Sequence, residues 1–522
     1  MELKKECIQV MRTKSRATAQ VTFDSDYNVP DAKADIGRMI QNKGNVTVDE
    51  VRLSEGHAFL RGNLNVDLLY VGEGEGNVYS LGAKLPFEET LNLEGIASGD
   101  KMCLQLEIED ISIHIIHSRK MNIKGIVSFR ASVDQDYGIR LPVAVEEDGV
   151  SVKKKHLRLM TLQVHKKDTM RIREEITLAS NKPNIAELLW YTAQVRGLDM
   201  RPEENIIRAR GELFVFVLYV GDDEGSPLQW AEYSLPFTSQ VECGGSGENL
   251  IPNISSTAMY RNLEVKPDSD GEQRILTADV VLELDMKLYR EEEFDLVQDV
   301  YTPSRECVSV GNQEQLDSLL IRNFSKCRVA DRVAVKETQG KILQICHSDG
   351  KVKIDKTRVV ENGIHTEGII SLKVLYIVGN DEIPFYSMEA MLPFTHVVEA
   401  QGITGESVYY LRAGLEQLST TMVDSNEIEI KATIGLNALV FGRQEELIID
   451  HVEERPLDKK LLRSLPGITV YMVKPGDTLW DIAKRCYTTM EEIRTVNNLT
   501  EQEPQPGQPL LIVKKVVQWD KK

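Results

Sequence analysis

The chain has 522 residues, with 62 Lys and Arg against 81 Asp and Glu, a net charge of −19. Such a surface repels nucleic acid and anionic lipid rather than gathering them. At ~100–200 residues per domain the length calls for about three to five domains, and the longest apolar run, residues 213–220, is far short of the ~18 residues that cross a bilayer.

The first residues, Met1-Glu2-Leu3-Lys4-Lys5-Glu6, open no apolar h-region, so a secretory leader is not expected. Seven cysteines (Cys7, Cys103, Cys243, Cys307, Cys327, Cys346 and Cys486) are scattered with no C-x-x-C. That pattern fits idle or buried thiols in a reducing compartment better than a disulfide framework or a zinc site. The expected location is cytoplasmic.

One stretch organises the chain and occurs three times. Gly62 leads to Leu69-Tyr70-Val71 and then Leu85-Pro86-Phe87; Gly211 leads to Leu218-Tyr219-Val220 and Leu235-Pro236-Phe237; Gly368 leads to Leu375-Tyr376-Ile377 and Leu392-Pro393-Phe394. The copies lie 149 and 157 residues apart, which is a tandem domain array rather than a solenoid of ~20–50-residue units.

In chain order, each copy opens with a short strand: residues 19–23, 175–178 and 332–335. A helical turn is expected next at 35–40 and 184–189, where Ile185, Leu188 and Leu189 repeat as one helix face. The third copy, with Ile342, Leu343 and Ile345, reads more as strand. Alternation in residues 46–53 and 351–359 and in Leu64-Asn65-Val66-Asp67-Leu68 predicts half-buried antiparallel strands. In the second copy Phe214 and Phe216 replace the polar positions, so that strand is expected to be covered on both faces. The segments 72–76, 221–225 and 379–382 have turn composition, and the prolines of the Leu-Pro-Phe corners are expected to mark where pairing stops. Further strand pairs follow at 104–117 with 121–133, 263–265 with 274–289, and 415–423 with 427–441. Polar joins are expected at 153–156 and 303–317. The body is therefore mainly β, three tandem sandwich-like domains over residues 10–150, 160–310 and 320–455.

From Gly467 the chain changes character, with 8 Lys and Arg against 7 Asp and Glu, while residues 1–466 hold 54 against 74. Residues 471–483 predict a strand, a Pro475-Gly476 turn and a helix. Thr478 with Asp481, and Thr489 with Glu492, have capping-box spacing. A closing strand follows Pro506-Gly507. The order is β-α-α-β, a small α+β domain over residues 467–514.

That tail resembles a LysM domain through Tyr471, Val473, Gly476-Asp477-Thr478-Leu479, Ile482-Ala483, Tyr487, Ile493, Asn497 and Pro506-Gly507-Gln508-x-Leu510. The resemblance implies binding of N-acetylglucosamine-containing glycans such as peptidoglycan, between the loop after the first strand and the loop before the last. The candidate binding residues are then Gly476, Asp477, Thr478, Leu479, Trp480, Asn498, Leu499, Pro506 and Gly507. Sugar and protein both remain open as occupants, since a fold does not fix its ligand; Trp480 could stack on a sugar or cover the core.

The body resembles the SPOCS repeats of clostridial sporulation proteins through the Leu-Tyr-Val strand ends, the Leu-Pro-Phe corners and Pro183-Asn184-Ile185. Together the two resemblances imply a non-catalytic scaffold of spore-coat assembly, working from the mother-cell cytoplasm at the forespore surface. The implied partner is the basal spore-coat ATPase, stage IV sporulation protein A. A cell-wall protein holding peptidoglycan is the alternative, and an enzyme the third reading.

No catalytic residue, metal site or cofactor is expected. Residues 72–76 and their acidic counterparts would repel phosphate and lack the phosphate-loop lysine. His114 and His117 stand three apart in a strand and so face opposite ways. Cys346-His347 has no third triad partner. Glu291-Glu292-Glu293 reads as a solvated run and Lys153-Lys154-Lys155-His156 as a linker without aromatic interleaving for nucleic acid.

Overall fold

A computed structural model describes residues 1–74, 76–223, 228–335, 341–379, 384–457, 466–500 and 503–513. The first repeat runs β1 (Leu3–Asn28), β2 (Ile36–Ser54), β3 (His57–Gly72), β4 (Val78–Asn92), β5 (Met102–His117) and β6 (Lys120–Val145). The second runs β7 (Ser151–Thr177), β8 (Ile185–Glu203), β9 (Ile206–Gly221), β10 (Leu228–Glu242), β11 (Ile251–Pro267) and β12 (Gln273–Tyr301). The third runs β13 (Arg305–Ala334), β14 (Ile342–Val360), β15 (Gly363–Val378), β16 (Phe385–Glu399), β17 (Val408–Met422) and β18 (Glu427–Pro456).

Each repeat builds two three-stranded antiparallel sheets: β1-β6-β5 with β2-β3-β4, β7-β12-β11 with β8-β9-β10, and β13-β18-β17 with β14-β15-β16. The sheets face each other across a private core. Alternation places Leu64, Val66, Leu68 and Tyr70 of β3 in that core. The Tyr70 hydroxyl donates to the Ala34 carbonyl at 2.9 Å, and Tyr219 does the same to Pro183 at 3.2 Å. Tyr70 and Tyr219 thereby fill their sandwiches while their one polar atom is satisfied, and Tyr376 fills the third.

The leucine before each tyrosine points the other way. Leu69, Leu218 and Leu375 meet in one shared cluster, joined by Ile40, Leu189 and Cys346 from equivalent positions of the second strand in each sheet pair. Every repeat therefore packs on both others, and the three close into a ring. Phe216 is fully buried in this shared cluster, and Phe214 packs against it, so the second copy's strand is covered on both faces.

The long strands β1, β6, β7, β12, β13 and β18 outrun their sandwiches. Leu3–Thr13 pairs with Asp134–Val145 as a two-stranded ribbon beyond β5, and the other two repeats repeat this arrangement. The ribbons share a second inter-repeat core of Ile8, Leu141, Leu157, Leu296, Leu316 and Ile448.

Three expectations are corrected. The helical turns expected at 35–40 and 184–189 are strand from Ile36 and Ile185 onward, the first residues of β2 and β8. Paired register shifts occur at Ile36/Arg38 and Met39/Gln41, at Ile185/Glu187 and Leu188/Trp190, and at Ile342/Gln344 and Ile345/His347. A bulge adds a residue without adding a rung, so apolar residues spaced like a helix face serve a strand that turns. Ile185 and Leu188 face their own core, and Leu189 and Trp190 face the other repeats.

Pairing also runs through the prolines: Pro86 sits opposite Asn63, Pro236 opposite Glu212 and Pro393 opposite Ile369. They are tolerated because β4, β10 and β16 are edge strands, where a missing N–H costs no ladder bond.

The polar joins, finally, lie inside β7 (153–156) and, from Arg305 onward, inside β13. Lys155 pairs with Glu446, His156 with Asp295 and Arg158 with Glu293, so the charges are cross-strand and inter-ribbon partners rather than linker decoration. The expected turns at 72–76, 221–225 and 379–382 connect antiparallel neighbours; their residues 75, 224–225 and 380–382 lie outside the described residues.

Candidate functional site

The tail folds as β19 (Ile468–Met472), α1 (Leu479–Arg485), α2 (Met490–Asn497) and β20 (Pro509–Val513), with β19 and β20 paired antiparallel. Thr478 caps α1, its hydroxyl oxygen accepting from the Asp481 N–H at 3.2 Å. Thr489 and Glu492 close a full capping box on α2. Asn498 ends α2 in the left-handed region at φ 53°. The Asn497 side chain exchanges two 2.7 Å bonds with the Leu511 backbone, pinning α2 to β20.

Two loops stand side by side above this core. In the first, Gly476 turns the chain at φ 89°. The Asp477 carboxylate accepts from the Tyr471 hydroxyl at 2.6 Å and the Lys474 N–H at 3.0 Å. The Tyr471 bond, then the backbone bond, hold its pKa below the ordinary carboxylate range. In the second loop Gly507, at φ 86°, donates to the Val473 carbonyl at 2.8 Å. A carboxylate bridges the walls: Glu503 Oε2 accepts from the Leu479 N–H at 2.7 Å.

The nine candidate residues fall into two sets. Gly476, Asn498, Pro506 and Gly507 are exposed on the loops, and Asp477, Thr478 and Leu499 are partly covered. Leu479 is wholly buried and Trp480 is 5% exposed. Trp480 is covered by the second repeat: its ring meets Tyr301 edge-on at 4.7 Å, and its indole N–H donates to Asp299 Oδ2 at 2.9 Å. Lys484 adds an ion pair to the same carboxylate at 2.7 Å. Asp299, Tyr301 and Lys484 escaped sequence reasoning because nothing local ties a strand end to a helix some 180 residues on. Glu503 could have been found as the carboxylate nearest in sequence to the predicted Pro506-Gly507 turn.

The other face of this small sheet is apolar. Ile468, Val470 and Met472 are 63%, 63% and 53% exposed. Their cross-strand neighbours are Val513, Leu511 and Pro509. A solvated sheet face ordinarily alternates to polar residues; this one does not.

In the body, the sharper candidates resolve into structure. The Cys346 thiol is pushed up to about 12 by burial. His347 is buried, bonded through Nδ1 to Glu232 at 2.7 Å. Among the described residues no group of three or more His, Cys, Asp or Glu is placed to hold a metal ion. No helix among them is long and apolar enough to cross a membrane.

A ring of three β-sandwiches with a capped β-α-α-β knob defines a tandem β-repeat protein with a small α+β domain at its end. The comparisons agree and sharpen it. The family described as SipL, SPOCS domain matches residues 35–116, 184–266 and 341–423, and the LysM domain family matches 471–513. The chain is a SPOCS-repeat protein of the SipL type with a C-terminal LysM domain. No curated protein matches it. SPOCS and LysM domains of this type are non-catalytic binding modules, and the pairing fits a sporulation-related coat protein.

Proposed function

We propose that the chain is a non-catalytic adaptor of spore-coat assembly. Its LysM domain docks a coat morphogenetic partner at the forespore surface, working from the mother-cell cytoplasm, and the basal-coat ATPase, stage IV sporulation protein A, is the partner the SPOCS–LysM pairing points to. The observation that carries this reading is the apolar ladder Ile468/Val513, Val470/Leu511 and Met472/Pro509 on the outside of the LysM sheet. An exposed apolar face suits a protein surface, whereas sugar hydroxyls call for convergent polar groups.

The glycan reading keeps one specific support, the pair of loops that carry the exposed residues Gly476 and Gly507. Val470→Glu separates the two. It is expected to abolish capture of the purified ATPase while sedimentation with purified peptidoglycan stays as in the unaltered chain. Loss of sedimentation with intact ATPase capture would reverse the choice.

A further inference from the structure

Among the described residues, the contact between the LysM domain and the body includes Trp480 and Lys484 of α1, the start of α2 and the tip of β12. The tips differ. β6 ends Val143-Ala144-Val145, β18 ends Glu454-Arg455-Pro456, and only β12 ends Asp299-Val300-Tyr301. Asp299 takes both donors that α1 offers here, the Trp480 indole and the Lys484 ammonium. Tyr301, itself 3% exposed, joins the LysM core cluster beside Leu479, Trp480 and Ile493. An indole N–H can only donate, so a carboxylate beside an aromatic edge is a matched receptor for it.

An aromatic edge, one indole hydrogen bond and one ion pair gain from being tethered, since association between separate molecules costs several kcal/mol of lost freedom. Here β18 ends at Pro456 and β19 begins at Ile468, and so short a tether gives an effective concentration on the order of millimolar. A contact with an intrinsic dissociation constant of ~0.1 mM would then be closed roughly nine-tenths of the time.

We propose that Asp299 and Tyr301 form a latch that holds the LysM domain on the second repeat through Trp480, so that any ligand using the Trp480 side of the domain must first release it. The latch rests on the reading of the LysM domain as the ligand-binding module; its own existence does not. The closed form presents the apolar sheet face, and the released form adds Trp480.

The test uses the full chain labelled with 5-fluorotryptophan, the Trp480 signal being assigned with W480F. In the unaltered chain that signal is expected to lack a solvent-isotope shift. It should move and acquire one in D299A, and more fully in D299A/Y301S. A Trp480 signal that is solvent-exposed in the unaltered chain, or that stays buried in both variants, overturns the latch. Chitohexaose titration then reads the consequence. Binding up to about tenfold tighter in the released variants supports competition, and equal affinity overturns it. Failure of both forms to bind, with Trp480 visibly released, refutes a glycan role for the domain while the latch stands on its own signal.

Discussion

Phe216 of the second repeat lies face to face on His347 of the third, ring centroids 3.9 Å apart and planes within 6°. The stack is set in the cluster shared by all three repeats, and His347 is oriented through its ring-edge Nδ1 by Glu232, the cross-strand neighbour of Phe216. Truncating Phe216 to Ala should cost about 3–5 kcal/mol. Because the lost contact is between repeats, hydrogen exchange should quicken in β14 and β15 as well as in β9. Exchange confined to the second repeat would argue that the copies fold independently.

The glycine that opens each Leu-Tyr strand is not equally strict. A Cβ on Gly62 would stand 2.1 Å from the Thr47 carbonyl oxygen, and on Gly368 2.3 Å from that of Lys353, whereas on Gly211 the nearest atoms are 3.1 Å away. Backbone cannot yield as a side chain can. G62A and G368A are expected to lose about 1–3 kcal/mol, and G211A distinctly less, by urea unfolding. Equal losses at all three would contradict this geometry.

His165 bridges two repeats, its Nδ1 3.0 Å from Asp136 of the first and its Nε2 3.1 Å from Asp285 of its own. Lys287 faces the same pair of repeats, bonded to Asp134 and Asp285. The hydrogen bond to Asp285, aided by Asp136 and opposed by burial, raises the imidazole above 6.5. A raised histidine stabilises fully below its unfolded pKa, and that contribution is lost as pH climbs through the folded value. Stability should therefore decline above about pH 6.5 in the unaltered chain, with a shallower slope in H165Q. A slope unchanged by H165Q would place the titration elsewhere.

The LysM helices depend on their caps. Thr489→Ala removes the acceptor for the Glu492 N–H and half of the capping box. The expected cost is about 1 kcal/mol, read as earlier exchange of α2 amides with the sandwiches unaffected.

Much of this was legible because each repeat has to bury a sheet face, and that requirement writes period-two alternation into residues 62–71 and their counterparts. The Leu-Tyr pair even carried the architecture, Tyr70 turning into its own sandwich and Leu69 into the shared core. Reading failed where a strand departs from period two. The bulges at Ile185/Glu187 and Leu188/Trp190 give a strand the spacing of a helix, and no local signal distinguishes them. The caps of Thr478 and Thr489 were visible since a cap is a short-range bond. The cover on Trp480 was not, because Asp299 and Tyr301 reach it only through the closed tertiary fold.

The most direct test of the adaptor account is the position of a fluorescent fusion in sporulating cells, comparing the whole chain with one ended at Leu457. The account predicts a ring around the forespore for the whole chain and diffuse mother-cell signal for the shortened one, whose sandwiches remain folded. A shortened chain that still encircles the forespore would contradict it.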